Sequence, residues 1–374
     1  MAARDPVSEG PTVSVIVPAR NEEACLGACL ESLAAQTQVS FEIIVVDDGS
    51  TDRTREIAKS FGGVRVVEPA PLPPGWIGKN NALVAGAKEV RGEWLLFTDA
   101  DTVHRGGSLA RSVEEVRRQK AALLSYSPEQ EVHGLWVKAV MPVIFAELAT
   151  TYRPSEVSDP ASSAAAANGQ YILISREAYD AVGGHVAIAG SLLEDVALAR
   201  AVKSSRRKIF FRYGDDAVRT RMYRSFAQLM EGWTKNLALL FPSPGRLALL
   251  RLTEFVLIVS SVTVAIVMGM RGRTPASAAV GLLALALTGL FLRRIRKAHF
   301  SWDATVLALI GLPVFSYLLL RSRNAYQKGI VMWKGRRYTG NRTGASVGTG
   351  QVRAGRPLDS QQEAGRAPSH ATSN

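Results

Sequence analysis

The sequence predicts an α/β protein: a mainly parallel sheet in the N-terminal two-thirds, followed by C-terminal transmembrane helices. Three observations predict it. Short Val/Ile-rich runs alternate with helix-period segments near the start of the chain, the mark of βαβ units. Acidic pairs fall where those runs end. From residue 249 onward the chain turns into long apolar stretches separated by basic clusters.

Taken in order, Val13 to Pro18 reads as a short buried strand that ends at a proline. Glu22 to Gln36 reads as a helix with Leu26, Cys29, Leu30 and Leu33 on one face. Phe41 to Val46 is a second strand, closed by Asp47-Asp48-Gly49-Ser50. Thr51 to Phe61 is helical, with Ser50 or Thr51 as its cap. Val64 to Glu68 is a third strand, and Pro69 to Gly78 a Pro/Gly-rich loop. Asn80 to Val90 is a helix, and Trp94 to Thr98 a fourth strand ending in Asp99-Ala100-Asp101. Residues 134–150 form an apolar helix, either core or lying on a membrane surface. The Ala-rich run 161–167 leads through Asn168-Gly169-Gln170 into a strand, Tyr171 to Ser175. Glu194-Asp195 open a helix running to about Val202.

Three apolar runs, 252–270, 275–292 and 304–320, are each close to the ~17 residues a helix needs to cross a bilayer. They lack a polar face to show water, so they are expected as membrane spans within 249–322. The net charge of +12 is unevenly spread. Residues 1–248 hold 28 Lys+Arg against 29 Asp+Glu, whereas residues 321–374 hold 10 against 2. Basic residues therefore flank apolar segments and fill a tail. That pattern fits an anionic membrane surface and argues against nucleic acid as a partner. The expected organisation is a flexible N-terminus (1–11), an α/β domain (12–245), the membrane helices, a basic post-membrane segment (323–340) and a disordered tail (341–374). Cys25 and Cys29 sit four apart on one helix face with no metal-type cluster beside them, and are expected reduced.

In open α/β sheets ligands bind beyond the carboxyl ends of the strands, which is where the acidic residues lie. Asp99 and Asp101, one residue apart after a strand, can hold Mg²⁺ or Mn²⁺ between themselves and a diphosphate. Asp47 and Asp48 can accept hydrogen bonds from a base or ribose, although the same residues serve as a turn and helix cap. The loop after the first strand, Pro18-Ala19-Arg20-Asn21-Glu22, would line one side of that cleft. Lys79, at a helix start, can reach a phosphate. Glu194 and Asp195 lie in a first helical turn, where the backbone dipole favours the ionised form a general base needs. Ordinary helix N-terminal charge explains the same placement.

Taken together, Val15-Ile16-Val17-Pro18-Ala19-Arg20-Asn21-Glu22-Glu23, Val45-Val46-Asp47-Asp48-Gly49-Ser50-Thr51-Asp52, Asp99-Ala100-Asp101 and Glu194-Asp195 resemble family 2 glycosyltransferases of the GT-A fold, over about residues 12–242. The stretch Pro71-Leu72-Pro73-Pro74-Gly75-Trp76-Ile77-Gly78-Lys79-Asn80 resembles the membrane-associated bacterial branch with hopene-associated and chlorobactene-type carotenoid glucosyltransferases. Many members of that branch carry Trp two residues after the Lys; Asn81 stands there in this chain.

The resemblance implies an inverting, metal-dependent transfer of a hexose from a nucleotide diphosphate sugar, most simply a UDP-sugar, to a hydroxyl of a membrane lipid of hopanoid, carotenoid or polyprenyl type. It implies that Pro18, Ala19, Arg20, Glu22, Asp48, Lys79 and Asp99 bind the donor, and that Asp99 and Asp101 place Mg²⁺ or Mn²⁺. It implies that Asn168, Gly169, Gln170, Gly184, His185 and Trp233 shape the acceptor side. Asp195, with Glu194 beside it, would be the base. A processive polysaccharide synthase is the alternative, but Arg221 to Asn236 lacks the QxxRW sequence of such enzymes. A non-catalytic nucleotide-sugar-binding membrane protein is a further alternative. The expected location is the inner membrane, multi-pass, with the catalytic domain cytoplasmic. Three spans would then leave Arg321, Arg323, Lys328, Lys334, Arg336 and Arg337 outside, against the positive-inside tendency. Either one run is interfacial or re-entrant, or a fourth span exists.

Overall fold

A computed structural model of the chain describes residues 10–338. The expected flexible start and the tail from residue 341 lie outside the described residues, apart from residues 10 and 11.

Strands β1 (Val13–Ala19), β2 (Phe41–Asp47), β3 (Val64–Val67) and β4 (Trp94–Phe97) run parallel. Helices α1 (Leu26–Ala34), α2 (Thr54–Ser60) and α3 (Gly78–Lys88) connect them. β1 lies between β2 and β4, and Val13, Val15, Ile16 and Val17 are fully buried. Helices cover both faces of such a sheet, so a continuous apolar run forms its inner strand. α1 packs Leu26, Cys29, Leu30 and Leu33 on one face, as its spacing predicts. It starts at Leu26 rather than Glu22, because residues 20–25 form a turn tied to the next loop. The expected cap of α2 is also corrected: the cap position falls on Arg53, whose side chain makes no capping bond, rather than on Ser50 or Thr51, and Asp52 Oδ1 accepts from the Thr54 amide at 3.0 Å in the turn before the helix. Ser50 Oγ instead accepts from the Asn21 amide at 3.1 Å.

The chain continues through β5 (Thr102–His104), α4 (Ser108–Arg118), β6 (Leu123–Ser127), β7 (Glu129–Gln130), α5 (Leu135–Thr151) and α6 (Pro154–Ser158). Then come β8 (Ile172–Ser175), α7 (Arg176–Ala181), α8 (Gly184–Ala187), α9 (Glu194–Ser204), β9 (Ile209–Tyr213), β10 (Val218–Thr220) and α10 (Phe226–Leu240). The main sheet has seven strands in the order β3-β2-β1-β4-β8-β6-β9, with β8 antiparallel to both neighbours. A small sheet, β5-β10-β7, stands beside it. The register pairs Ala19 with Asp47 and Ile16 with Phe97. The loops after β1, β2 and β4 therefore emerge at one edge.

Beyond the sheet lie α11 (Pro244–Met270), α12 (Thr274–Ile295), a 3₁₀ turn (Arg296–Ala298) and α13 (Trp302–Gln327). A two-stranded hairpin follows, β11 (Val331–Trp333) with β12 (Arg336–Tyr338). Among the described residues, α11, α12 and α13 are long and apolar enough to cross a membrane. Their surroundings differ: the apolar stretch is 6% buried in α11, 11% in α12 (with its 3₁₀ turn) and 50% in α13. α13 packs along α5 and α10 in a core holding Val140, Ile144, Trp233, Leu312 and Phe315. Gly311 permits that contact, since a Cβ there would collide with the Ala139 carbonyl. The apolar segment 134–150, read as core or surface, is thus mostly buried against α13. Glu147 of α5 is buried with Arg251 and Glu254 of α11 and Arg294 of α12, in one ionic network. Cys25 and Cys29 are free thiols.

Candidate active site

The loops after β1 and β2 are strapped together by their own polar groups. The Asp48 amide donates to the Ala19 carbonyl at 2.9 Å, and Arg20 donates to the Asp48 carbonyl at 2.5 Å. Asn21 adopts a left-handed φ of 53°, and its Oδ1 accepts from the Thr51 amide at 2.9 Å. Short polar side chains tolerate that conformation. The Glu22 amide donates to Thr54 Oγ1 at 2.7 Å. These bonds fix Ala19, Arg20, Glu22 and Asp48 as one wall. Pro18 closes its inner end, in a small cleft shared with Lys79, Asp99, Gly169, His185 and Glu194.

Lys79 organises the centre of this cleft. It starts α3 and bridges Asp99 Oδ1 at 2.7 Å and Glu194 Oε1 at 2.6 Å. Burial alone would lower its pKa, but the two carboxylates outweigh that and hold it well above the ordinary range. Burial pushes Glu194 upward, yet Lys79 and Lys235 together bring it below the ordinary range. Asp195 forms no such salt bridge, and the more distant pull of Lys79 does not prevail. Burial, then the Glu194 charge, raise it to about 6. Its Oδ2 accepts from the Gly169 amide at 3.1 Å and its Oδ1 from the Val196 amide at 2.8 Å. One carboxylate is thus clamped as an anion, and its neighbour is poised close to neutrality.

Asp101 is also buried, and burial followed by the Asp99 and Glu22 charges raises it to about 7. Its Oδ1 is buried with no hydrogen-bond partner. A buried orphan carboxylate oxygen is costly unless a cation satisfies it, so the residue fits a metal ligand. Among the described residues no three His, Cys, Asp or Glu side chains gather into a metal cage. Two carboxylates completed by a diphosphate match the usual holding of Mg²⁺ by one or two carboxylates plus phosphates.

On the other side, Gly169 comes so close that a Cβ there would lie 3.2 Å from Lys79 Nζ and 3.4 Å from Glu194 Oε1. Asn168 Oδ1 accepts from the Gln170 amide at 3.0 Å, so the side chain shapes its own turn. Gln170 is buried against Thr220 and Gln130. Gly184 packs against the Tyr179 ring. His185 is buried beside Phe97 and pairs Nδ1 with Tyr179 Oη at 3.0 Å; burial lowers it to about 4, so it is neutral. Trp233 lies further out. Its indole faces Met141 Sδ at 3.4 Å, in a cavity of about 250 Å³ that Asp195 also lines. Phe145, Leu148, Leu240 and Phe300 make that cavity largely apolar.

Residues 14–183 match the model of glycosyl transferase family 2. Residues 14–183 form a family 2 glycosyltransferase domain. The chain is similar to the 4,4'-diaponeurosporenoate glycosyltransferases of Staphylococcus aureus strains MRSA252 and USA300. Each is 28% identical over 338 residues, covering 87% of this chain and 88% of theirs. Among solved structures, the mannosyltransferase PcManGT from Pyrobaculum calidifontis, in complex with GDP-Man and Mn²⁺, is 18% identical. That match covers 86% of this chain and 88% of that one, with a TM-score of 0.47. The transferase domain has the expected GT-A arrangement: a mainly parallel sheet with its acidic residues at one edge.

Three contacts of the transferase domain were not foreseen as site features. Arg336, on β12, donates to Asp48 Oδ2 at 2.5 Å and Oδ1 at 3.0 Å. Lys334, in the turn between β11 and β12, pairs with Glu22. Lys235 of α10 lies 4.6 Å from the Trp333 ring centroid. Lys334-Gly335-Arg336-Arg337-Tyr338 stood out in the sequence as a post-membrane segment, but nothing in its pattern points back to β2.

Proposed function

We propose that this chain transfers a hexosyl group from a nucleotide diphosphate sugar, most simply a UDP-sugar, to a membrane lipid, with inversion at the anomeric carbon. One observation carries the reading: Asp195 stands at the boundary between a polar cleft of carboxylates and lysine and an apolar cavity of about 250 Å³. A donor's charged diphosphate suits the first, and the end of a lipid suits the second. Diaponeurosporenoate, after which the Staphylococcus aureus relatives are named, points to a carotenoid-type acceptor.

In this reading Ala19, Arg20, Glu22 and Asp48 hold the nucleoside, and Lys79 lies beside the diphosphate. Asp99 and Asp101 would hold Mg²⁺ or Mn²⁺, which when bound supplies positive charge to the departing nucleoside diphosphate. Asp195 accepts the acceptor hydroxyl proton as the oxygen attacks from the face opposite the leaving group. Its carboxylate is largely ionised at neutral pH and still basic enough to take the proton. The Gly169 amide keeps one carboxylate oxygen oriented during the transfer. Asn168 and Gln170 set the backbone that carries this amide, and Gly184 and His185 form the floor of the cleft. The catalytic domain lies on the cytoplasmic side, and one sugar is added per acceptor.

The test is donor turnover by the purified full chain with Mn²⁺ and a membrane lipid extract. Nucleoside diphosphate release together with a new glycolipid is expected. No release with any common UDP- or GDP-sugar would reject the proposal, and a long polymer would turn it toward a processive synthase.

A further inference from the structure

We infer that the chain crosses the membrane twice, through α11 and α12. The third apolar helix, α13, then lies along the membrane face on the same side as the transferase domain. The decisive observation is that both ends of α13 meet the same domain. Just before its start, the His299 ring lies 4.8 Å from the ring of Tyr213, at the end of β9. Near its end, Tyr326 Oη donates to the Lys235 carbonyl at 2.7 Å, and the hairpin that follows binds Asp48 beyond β2. A 26-residue helix is about 39 Å long at ~1.5 Å per residue. A helix crossing a hydrocarbon core of ~30 Å would leave its two ends on opposite sides. One domain cannot hold both.

Burial supports this assignment. Ala308, Leu312, Phe315 and Leu319 face inward with helical spacing and pack in the core shared with α5 and α10. Val306, Ile310, Tyr317 and Leu320 form an exposed stripe on the other side. A helix with one face on a protein and an apolar face outward suits the headgroup–acyl boundary. Sequence hydropathy does not distinguish such a helix from a span.

α11 and α12 behave differently. Arg251 and Glu254, early in α11, join Arg294, late in α12, through the network around Glu147. At the far end Ser277 Oγ donates to the Ala265 carbonyl at 2.8 Å, so the two helices form a closed hairpin. Its apolar length is largely bare, as expected for surface given to lipid. Charge agrees with two crossings. Among the described residues only Arg271 and Arg273 lie at the tip, while Arg293, Arg294, Arg296, Lys297, Arg321, Arg323, Lys328, Lys334, Arg336 and Arg337 return to the domain side. That distribution satisfies the positive-inside tendency for a cytoplasmic domain, which three spans would violate.

The test is labelling with a membrane-impermeant maleimide in intact and permeabilised cells. The full chain carries Cys25→Ser and keeps the buried Cys29. One reporter cysteine is added at a time: Glu114→Cys on α4, Arg271→Cys at the hairpin tip, or Lys328→Cys after α13. All three positions are exposed. Position 271 should react from the side opposite to positions 114 and 328. Reaction of 328 from the same side as 271 would mean three crossings and overturn the inference. Reaction of all three from one side would mean a hairpin lying on the surface and would overturn it equally. Sidedness is read without turnover, so this result stands apart from the transferase reading.

Discussion

Arg336 and Asp48, 288 residues apart in the chain, are joined by two charge-assisted hydrogen bonds of 2.5 and 3.0 Å. The guanidinium of a segment that follows the last apolar helix thus sits on the carboxylate expected to receive the nucleoside. Without Arg336, a nearly buried carboxylate would face an incoming diphosphate uncompensated. Hydrogen bonds to charged groups contribute about 1.5–3 kcal/mol, so Arg336→Ala should weaken UDP binding roughly tenfold or more. Arg336→Lys should restore part of the loss, since it keeps the charge without the paired geometry. Calorimetric titration of the full chain with UDP checks this. Unchanged or tighter binding by the Ala variant would show that the contact blocks the site rather than serving it.

Lys79 is the only cation within salt-bridge distance of Asp99 and Glu194 among the described residues. Breaking a fully buried ion pair costs about 3 kcal/mol or more, and less where, as here, Lys79 and Asp99 are partly exposed. Lys79→Met should therefore lower the thermal midpoint as well as donor turnover. The pH dependence has a definite sign. Glu194 is depressed in the folded chain, so its pairing stabilises above the ordinary glutamate pKa of about 4.3 and is lost as pH falls through the folded value. The gap in midpoint between the variant and the natural chain should be widest near pH 7 and shrink in acid. A gap that stays equally wide as pH is taken well below 4 would refute the assignment.

Gly169→Ala tests how finely the site is set. The added Cβ would meet Lys79 Nζ at 3.2 Å, Glu194 Oε1 at 3.4 Å and Asp195 Oδ2 at 3.6 Å. The side-chain tips can give by a few tenths of an ångström, so the fold should survive with little change in midpoint. A displacement of about 1 Å costs on the order of a hundredfold in rate, so a smaller shift should cost roughly tenfold in kcat. A stable variant with full turnover would show that these three groups need no such precision.

The sheet was legible because a parallel strand buried on both faces is written as an uninterrupted apolar run, as in β1 and β2. The wall of the cleft was legible because Ala19 and Asp47 end adjacent strands, so residues beside them must converge. The direction of β8 was not legible, since its apolar run reads the same in either sense. The start of α2 was missed because Ser50, Thr51 and Asp52 are all capping types, whereas the turn puts Arg53, which is not one, at the cap position. The setting of α13 was hidden because burial against α5 and contact with lipid call for the same residues. Arg336 and Lys334 were out of reach for another reason: their partners, Asp48 and Glu22, lie at the opposite end of the chain.

Asp195 offers a prediction that separates two kinds of acceptor. Burial and the neighbouring Glu194 raise it to about 6, so it is protonated below that pH and ionised above it. A hydroxyl acceptor needs the ionised base. Turnover per acceptor should therefore rise with pH through about 6, and fall tenfold for each pH unit below. Asp195→Asn should then reduce kcat roughly 10²- to 10⁴-fold while UDP binding stays nearly constant. A carboxylic acid acceptor is already ionised near neutrality and has no proton to give up. For that class the Asn variant should keep most of its activity, and the acidic limb near pH 6 should disappear. A pH profile of both proteins, with one alcohol and one acid of matched chain length, decides between them. If neither acceptor gives a limb near pH 6 and the Asn variant is fully active on both, Asp195 is not the base.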